Sequence, residues 1–348
     1  MTISENVKVL VTGCGAPGGP GIVKCLMLDK RLSLVVGDAD SNASGRYIGP
    51  DFVQLPLASD PEFEDQILTI CKDRNIDIIF PLVTRELSLF SRHLQAFESA
   101  GIRVIVSPIE GLEIANDKVA LYNHLKNNSI EVPEFRVACN IKELKAAVLD
   151  LGYPVRPVVI KPGISNGSRG IRILDGNMSP YSLLFNEKPN SLYSTLDDIE
   201  RVVGSQEIPR MLVSEYLPGK ELTVDTIVSK GIVKTILIRT RDKMNGGISV
   251  AGKFIKNKTV EDYCIKILNT MNVDGPIGIQ LKESNDSTYK ILEINPRIQG
   301  TSVAAMGLEI NLPLLAVYEA MKMSVQYASK TSGVGFVRFY DEAYYDIR

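Results

Sequence analysis

The sequence is poor in the side chains on which several common protein classes depend. Its 348 residues include two histidines and five scattered cysteines without a CxxC pair. This argues against zinc sites, disulfide frameworks and histidine-dependent nucleophilic triads. Nowhere do about 18 apolar residues follow one another, as a membrane span requires, and the start does not resemble a signal peptide. We therefore expect a cytoplasmic location and no membrane partner.

The chain also lacks an excess of charge of either sign. Lys+Arg 39 against Asp+Glu 41 gives a formal net charge of -2, which argues against a protein that coats nucleic acid. Hydrophobic content of 45% and charged content of 23% are typical of a soluble globular chain. A chain of this length is expected to form two or three lobes rather than one compact core.

Apolar runs and helical periodicity divide the chain into three regions. In the first, the runs KVLVT, LSLVVGD, DIIFPLV and IRVIV alternate with helical patterns at 60–72 and 86–100, which predicts a parallel sheet with crossover helices. The second has a helix NDKVALYNHLKNN, a strand PVVIK, a glycine-rich loop and a strand IRIL. The third predicts a hairpin centred on SKG, a helix near 259–272 and two more strands in an antiparallel lobe.

A GxGxxG pattern at 13–18 follows the first strand, and Asp38 ends the second strand. This order is that of a dinucleotide-binding fingerprint and would indicate NAD. Glycines are needed at any tight strand-to-helix turn, however, and Pro17 and Pro20 reduce the backbone N–H groups that could face a pyrophosphate. A structural or substrate-binding turn is the alternative interpretation.

A second glycine-rich loop follows Lys161 and contains Gly163, Ser165, Gly167, Ser168 and Gly170. An ammonium group beside small residues can place both a cation and unobstructed amide donors on phosphate oxygens. The order differs from a P-loop, in which the lysine follows the glycines. A solvent-exposed hairpin with a surface lysine is the alternative.

The segment ILEINPR predicts a metal site near the end of the last strand. Glu293 and Asn295 lie two residues apart on that strand, so both side chains point to one face. With Gln280 on the neighbouring strand they form a set of hard oxygen ligands suited to Mg²⁺, for which Mn²⁺ can substitute. Arg297 could bind a carboxylate or phosphoryl oxygen. The alternative is a Glu293–Arg297 pair on a sheet surface.

The segment EYLPGKE joins two strands and carries Glu215 and Glu221 at its ends. Such a connector offers backbone N–H and C=O groups to the edge of a base and a carboxylate to a pair of ribose hydroxyls. A plain surface turn is equally compatible with the sequence.

In this order, the segments resemble the ATP-grasp superfamily, and most of all the ATP-grasp units of carbamoyl-phosphate synthase large chains and single-unit carboxylate–amine ligases. The matching segments are NDK (116–118), VVIKPGISNGSRGI (158–171), EYLPGKELTVD (215–225), GIQ (278–280) and LEINPR (292–297). The resemblance implies an α/β fold that is α+β in its C-terminal lobe. It implies a Rossmann-like pre-ATP-grasp domain at 1–110, a small lobe with a phosphate loop at 111–190 and a large lobe with the metal site at 191–348.

The resemblance also implies roles for single residues, which divide into nucleotide, metal and substrate contacts. The nucleotide contacts are Lys118, Lys161, Ser165, Asn166, Gly167, Glu215, Leu217 and Glu221, with Glu215 and Leu217 touching adenine through the backbone and Glu221 holding the ribose. The metal ligands are Gln280, Glu293 and Asn295. Arg297 and Lys161 are catalytic, and Arg239, Arg241 and Arg297 are candidates for binding a substrate carboxylate.

The function that the resemblance implies is an ATP-dependent carboxylate–amine ligase. It would act through an acyl phosphate on a small carboxylate and a small amine, giving ADP and phosphate. A carbamoyl-phosphate-synthase-like carboxylate or carbamate kinase is the alternative within the superfamily, and an NAD-dependent oxidoreductase or a nucleotide-sensing module is the alternative from another class. Acceptor specificity is expected in the segments 47–55, 84–86 and 239–253, and homodimer formation is left open.

Overall fold

The computed structural model describes residues 6–165, 167, 169–187, 191–323, 325, 327 and 330–346. The chain divides into two compact units. The first consists of Met1–Glu113, Leu222–Gln280 and Ile294–Arg348, and the second of Ile114–Glu221 and Leu281–Glu293. The division into three segments at 110 and 190 stays a prediction.

The described secondary structure alternates at first and is richer in strands later. The strands are β1 Val7–Thr12, β2 Leu32–Asp38, β3 Phe52–Gln54, β4 Ile78–Pro81, β5 Arg103–Val104, β6 Phe135–Ala138, β7 Val158–Pro162, β8 Arg172–Leu174, β9 Tyr193–Ser194, β10 Met211–Glu215, β11 Glu221–Ser229, β12 Ile232–Thr240, β13 Lys243–Asn245, β14 Ile248–Ile255, β15 Gly275–Glu283, β16 Tyr289–Asn295 and β17 Gly335–Val337.

The α-helices are α1 Gly19–Leu26, α2 Phe63–Asp73, α3 Thr84–Arg92, α4 Leu94–Ser99, α5 Ile109–Asn116, α6 Lys118–Asn127, α7 Ile141–Asp150, α8 Pro180–Phe185, α9 Leu196–Val203, α10 Lys258–Asn269 and α11 Leu312–Ala320. Two short 3-10 helices cover Ser44–Tyr47 and Ser302–Leu308. The helix predicted at 86–100 is two helices, because the chain leaves the helical conformation at His93 (φ -102°, ψ 15°).

The N-terminal part of the first unit contains a parallel sheet in the order β3-β2-β1-β4-β5. The prediction of a parallel sheet is confirmed. The middles of β1 and β2 are continuous buried apolar runs, as expected for strands covered on both faces. The strand order reverses between β1 and β4, so their carboxyl ends flank the point at which open α/β sheets bind ligands.

The remaining part of the first unit contributes to a mainly antiparallel sheet in the order β13-β14-β12-β11-β15-β16, with β17 paired to β14. The hairpin predicted around SKG joins β11 and β12, and Lys230 (φ 52°) and Gly231 (φ 73°) supply the left-handed residues of its turn. An apolar core that includes Val11, Leu237 and Ile298 joins this part to the parallel sheet.

The second unit contains a sheet in the order β6-β10-β7-β8-β9. Its pairs are antiparallel except for the short pair of β8 with β9. The apolar face of α7 packs on this sheet, where Leu144 and Val148 meet Val158, Ile160 and Val213 in a single core. Strand β7, which carries Lys161, lies beside β10 with Lys161 opposite Leu212.

Among the described residues, no single helix has the length and apolar character of a membrane span. The pair Ser302–Leu308 and Leu312–Ala320 meets both criteria jointly but is bent by 103°. Several of its side chains, including Ala305, Leu312 and Val317, belong to the core of the first unit.

Candidate active site

The beginning of α6 places the first cation of the candidate site. Asp117 is the N-cap of this helix, and its Oδ1 accepts hydrogen bonds from the N–H groups of Val119 (2.9 Å) and Ala120 (3.2 Å). Its other oxygen pairs with Arg210. Lys118 follows as the first helical residue and donates its backbone N–H to Gly163 O at 2.8 Å. The cap therefore fixes Lys118 against the loop that follows β7.

The second cation, Lys161, lies on β7 and is 5% exposed. Its Nζ lies 3.4 Å from Tyr122 Oη and 3.3 Å from Leu292 O, and 5.2 Å from the centre of the Tyr122 ring. The Tyr122 hydroxyl donates to Ile291 O at 2.8 Å. Tyr122 lies one turn after Lys118 on α6, so one helix face presents both residues to β7 and β16.

A carboxylate completes this cluster within the second unit. Glu293 Oε2 lies 3.6 Å from Lys118 Nζ, and the Glu293 side chain is 28% exposed. Lys118 Nζ also donates to Ser165 O at 3.3 Å. Burial, followed by the neighbouring Lys118, lowers the pKa of Lys161 to about 8, and Glu293 opposes this shift. The structure thus places 118, 161 and 293 close to one another, and their roles stay predictions.

The loop after β7 is described in part. Gly163 is buried, and a Cβ there would lie 3.0 Å from Asp117 Oδ1, which favours glycine at this position. Gly167 (φ 64°) and Gly170 (φ 75°) adopt left-handed conformations that glycine tolerates without strain. Asn166 and Ser168 lie outside the described residues. The phosphate-contact roles of Ser165, Asn166 and Gly167 stay predictions.

The connector between β10 and β11 is held by strand β15. Gly219 N donates to Glu283 O, and Glu283 N donates to Lys220 O, both at 3.0 Å. A Cβ on Gly219 would lie 2.6 Å from Glu283 Cβ, so this close approach requires glycine. Among the described residues, no acceptor takes the N–H of Leu217. The connector thus presents an unused backbone donor at a position predicted to contact adenine.

The two glutamates that flank this connector are each paired with a lysine. Glu215 Oε1 lies 3.0 Å from Lys290 Nζ and accepts the backbone N–H of Glu134 at 2.9 Å. Glu221 Oε1 lies 3.5 Å from Lys282 Nζ. The predicted ribose role of Glu221 is compatible with this pairing, because the side chain remains about one-fifth exposed (21%).

The predicted metal ligands belong to both units, with Glu293 in the second and Gln280 and Asn295 in the first. On β16, Glu293 and Asn295 are half-buried and flank the buried Ile294, so they share one strand face as predicted. The metal-binding role of these three residues stays a prediction. Among the described residues, no cluster of three histidine, cysteine or acidic side chains forms an alternative metal site.

Arg297 lies in the first unit, just after β16. Its Nε donates to Thr84 Oγ1 at 3.1 Å, and its Nη1 donates to Ile298 O at 2.9 Å. Thr84 begins α3, so these bonds connect the predicted phosphoryl-binding arginine to the carboxyl edge of the parallel sheet.

Two protein-family models match the chain. A model described as "ATP-grasp in the biosynthetic pathway with Ter operon" matches residues 207–339, and a model described as "PylC-like, N-terminal domain" matches residues 9–105. The resemblance expected from the motifs is thereby confirmed for residues 207–339, which match an ATP-grasp family model.

Solved structures of ATP-grasp enzymes share the fold of this chain. N5-carboxyaminoimidazole synthetase from Staphylococcus aureus, complexed with ADP, has a TM-score of 0.68 at 14% identity, covering 92% of this chain and 79% of that one. L-amino acid ligase from Bacillus licheniformis has a TM-score of 0.65 at 18% identity, covering 91% of this chain and 75% of that one. A biotin carboxylase–beta-gamma-ATP complex from Campylobacter jejuni has a TM-score of 0.65 at 15% identity, covering 92% of this chain and 72% of that one.

At these identities the likeness shows the fold, which agrees with the predicted α/β N-terminal domain and antiparallel C-terminal lobe. The family model adds an ATP-grasp region at residues 207–339, and the ligase activity expected from the motifs stays a prediction. The identities of the acid and the amine stay predictions.

The two arginines predicted to bind the substrate, Arg239 and Arg241, both have partners within the protein. Arg239 is 1% exposed, and its Nε donates to Asp225 Oδ2 at 2.7 Å. Arg241 Nη2 donates to Gly247 O at 2.7 Å. The structure therefore gives Arg239 a buried ion pair, because β11 and β12 bring Asp225 beside it. Binding of a substrate carboxylate by either arginine stays a prediction.

The N-terminal glycine-rich turn also differs from a dinucleotide site. Asp38 Oδ2 accepts the N–H of Gly15 at 2.8 Å, so the carboxylate holds the turn instead of facing a ribose. A Cβ on Gly18 would lie 2.0 Å from the Gly300 Cα, which shows that backbone covers the start of α1. These contacts support a structural turn, which was the alternative to a dinucleotide-binding site.

Two site residues were missed by sequence reasoning. Tyr122 contacts Lys161, and Asp117 fixes Lys118 and Gly163. The signal for Asp117 was present, since aspartate before a helical pattern is a common N-cap. For Tyr122 the only signal was its spacing of four residues from Lys118, and a tyrosine at such a spacing usually belongs to the core.

Proposed function

We propose that this chain is an ATP-dependent carboxylate–amine ligase that acts through an acyl phosphate. Its substrates are a small carboxylate and a small amine, and its products are an amide, ADP and phosphate. The observation that carries the proposal is the cluster of Lys118, Lys161 and Glu293 in the second unit. Two buried ammonium groups beside a partly exposed carboxylate are suited to a nucleotide polyphosphate.

Electrostatics explains why such a reaction needs buried cations. A carboxylate that attacks the γ-phosphorus of ATP meets like charge on the phosphate oxygens, so Lys118 and Lys161 lower the barrier by neutralising them. Both lysines are held by protein contacts before the nucleotide arrives, which reduces the reorganisation needed during reaction. The bond from the γ-phosphorus to the bridging oxygen breaks as the new phosphorus–oxygen bond forms, and ADP leaves.

The connector from Glu215 to Glu221 supports a nucleotide as the ligand. The N–H of Leu217 is a donor suited to a ring nitrogen of adenine, and Glu221 is an acceptor suited to ribose hydroxyls. The same unit carries this connector and the two lysines, so one compact unit can hold the base, the sugar and the phosphates.

Magnesium is the metal that we propose for Gln280, Glu293 and Asn295. When bound, Mg²⁺ supplies charge neutralisation at the phosphate oxygens. Arg297, which Thr84 orients, is proposed to bind the transferred phosphoryl group. The loop with Gly167 and Gly170 is proposed to close over the phosphates and exclude water, since an acyl phosphate is readily hydrolysed.

The proposal is tested by measuring ADP release from Mg-ATP with panels of small carboxylic acids, each with and without small amines. We expect acid-dependent ADP formation that increases with the correct amine. Glu293→Gln should lower kcat by about 100-fold or more, because it removes the charged metal ligand. The control Glu207→Gln changes an exposed acid of the same unit and should leave the rate unchanged.

Three outcomes would point elsewhere. If ADP forms at an unchanged rate in Glu293→Gln, the metal assignment is wrong. If acid-dependent ADP forms and the acyl phosphate accumulates without any amide, the protein is a carboxylate kinase. Oxidation of NADH without a need for ATP would transfer the function to the first unit.

The other expectations accompany this proposal. We propose small-molecule partners only, without nucleic acid or membrane, and a cytoplasmic location. All five cysteines are described as free thiols, four of them buried. Homodimer formation stays open.

A further inference from the structure

Glu86 lies at the carboxyl edge of the parallel sheet, where the strand order reverses. It is the third residue of α3, the helix that follows β4, and it faces the end of β1, where Thr12 is located. Open α/β sheets bind ligands at such reversal points. Gly13 (φ 67°) allows the chain to turn directly after Thr12, and a Cβ there would overlap Val83.

The burial of Glu86 is unusual for an acid without a cationic partner. The residue is 8% exposed, and Thr12 donates its hydroxyl hydrogen to Glu86 Oε2. Among the described residues, no lysine or arginine pairs with it. Buried carboxylates are normally paired or bound to a metal, because desolvation of an isolated charge is costly. A buried carboxylate that has no cationic partner within the protein is suited to a cationic or proton-donating ligand.

The surroundings of Glu86 favour a cation and disfavour an acid. The charged group that faces it from β2 is Asp38, and Arg85 on its own helix is exposed. On the segment after β16, Arg297 is directed to Thr84. Burial, and to a smaller extent Asp38, raises the pKa of Glu86 to about 7, against the hydrogen bond from Thr12. A second carboxylate in this position would be repelled, whereas an ammonium group would be attracted.

Arg297 connects this edge to the proposed chemistry. Thr84 and Glu86 are the first and third residues of α3, and Thr84 accepts the hydrogen bond from Arg297 Nε. A group held by Glu86 therefore lies within one helical turn of the residue that contacts the arginine proposed to hold the acyl phosphate. The edge thus offers an acidic position next to an electrophile, as a nucleophilic amine requires.

We propose that Glu86, held by Thr12, binds the amino group of the amine substrate and accepts its proton before the carbon–nitrogen bond forms. This inference rests on the proposed function. The bound ammonium first gives one proton to the Glu86 carboxylate, which frees the nitrogen lone pair. That lone pair forms a bond to the acyl carbon, the carbon–oxygen bond to phosphate breaks, and phosphate leaves with that electron pair. The second proton lost by nitrogen leaves with the phosphate. Atoms and charge balance without a further reactant.

The binding part of the inference can be tested without knowledge of the substrates. The protonated carboxyl of Glu86 is followed by infrared difference spectroscopy of the wild-type chain against Glu86→Gln, which keeps an acceptor for Thr12. We expect a carboxyl band that titrates near pH 7 and is absent from the variant. Methylammonium should lower its midpoint by about 1 unit, as a nearby opposite charge does. Tetramethylammonium, which has no N–H donor, should not.

A midpoint that is unaffected by methylammonium, or equally affected by both cations, would overturn the inference. The comparison of the two cations is made on the wild-type chain, so it decides the question even if Glu86→Gln does not fold. Glu98→Gln, an exposed acid on α4, serves as the control for the band assignment.

The chemical part is tested by comparing two nucleophiles with an acid that supports ADP formation. Hydroxylamine is largely uncharged near neutral pH and needs no base, so hydroxamate formation by Glu86→Gln should stay within about threefold of wild type. Amide formation with the amine should fall by about 100-fold or more, the usual size of a general-base effect. Equal losses with both nucleophiles would assign Glu86 a structural role. If no acid supports ADP formation in the wild type, the proposed function fails, and the titration still decides whether Glu86 binds an amine.

Discussion

At the scale of single residues, Tyr122 connects the helix that carries Lys118 to the strand that carries Lys161. Its hydroxyl bonds to Ile291 O and to Lys161, and its side chain is fully buried. Tyr122→Phe removes the hydroxyl from these buried polar groups and should lower the free energy of unfolding by about 1–2 kcal/mol. The affinity for ATP should fall as well, because Lys161 loses a contact that orients it.

Urea denaturation and nucleotide titration measure both effects. The matched control is Tyr181→Phe. This substitution also removes a tyrosine hydroxyl, but at a surface position, since Tyr181 is 70% exposed. If the two variants have the same stability and affinity, Tyr122 has no role beyond packing.

The raised pKa of Glu86 predicts that the free energy of unfolding decreases as the pH rises. Its pKa rises from 4.5 to about 7 on folding, so between these values the folded chain holds a proton that the unfolded chain has released. Stability is therefore full below pH 4.5 and decreases as the pH rises to about 7. At about 1.4 kcal/mol per pKa unit, this group lowers the free energy of unfolding by about 3 kcal/mol.

Glu86→Gln should remove that decrease, so its stability relative to wild type should improve from pH 4 to pH 8. Denaturation curves at several pH values measure the difference, with Glu98→Gln as the control. A constant difference between Glu86→Gln and wild type across this range would show that the pKa of Glu86 is not raised.

The sequence predicted the site residues that form a short, ordered motif. Lys118, Lys161 and Glu293 were named from three separate segments, and the structure brings them together, although their roles stay predictions. The burial of Arg239 was not predictable, because it depends on which residue of β11 lies beside it in the hairpin register. Sequence periodicity gives the face of a strand but not the partner across the sheet.

At the scale of elements, the start of α1 depends on a close approach of two backbone segments. A Cβ on Gly18 would lie 2.0 Å from Gly300 Cα, whereas a Cβ on Gly21 in the same helix would make an ordinary contact of 3.4 Å with Val303. Gly18→Ala should therefore lower the free energy of unfolding by about 2 kcal/mol or more. Gly21→Ala should raise it by up to about 1 kcal/mol, because alanine is the better helix former.

This pair of variants is compared by chemical denaturation. Similar effects of both substitutions would contradict the close packing of residues 18 and 300. The glycine-rich pattern was visible in the sequence, but its partner lies more than 250 residues away, so the reason for glycine could only come from the structure.

Local patterns predicted most of the long elements. The hairpin of β11 and β12 was predicted because SKG supplies residues that tolerate a left-handed turn. The break at His93 was not predicted, since the apolar periodicity continues from α3 into α4 and contains neither glycine nor proline there. The three-residue strand β3 is too short to give an alternating pattern.

At the scale of the whole molecule, each unit is built from separated stretches of chain. The first unit combines three segments, and its core includes residues as distant in sequence as Val11 and Ile298. Fold class follows from the order of strands and helices, but such a discontinuous core depends on long-range packing. This is why the motifs predicted the superfamily while the composition of the units came from the structure.

The central claim is that the second unit holds ATP through its two buried lysines. Calorimetric titration of the full chain with Mg-ATP tests it most directly, using Lys161→Met and, as a control, Lys142→Met at an exposed position of α7. We expect one nucleotide per chain, an affinity more than about 10-fold weaker (1.4 kcal/mol) in Lys161→Met, and no change in Lys142→Met. Absence of ATP binding to the wild type, or equal affinity in folded Lys161→Met, would contradict the account.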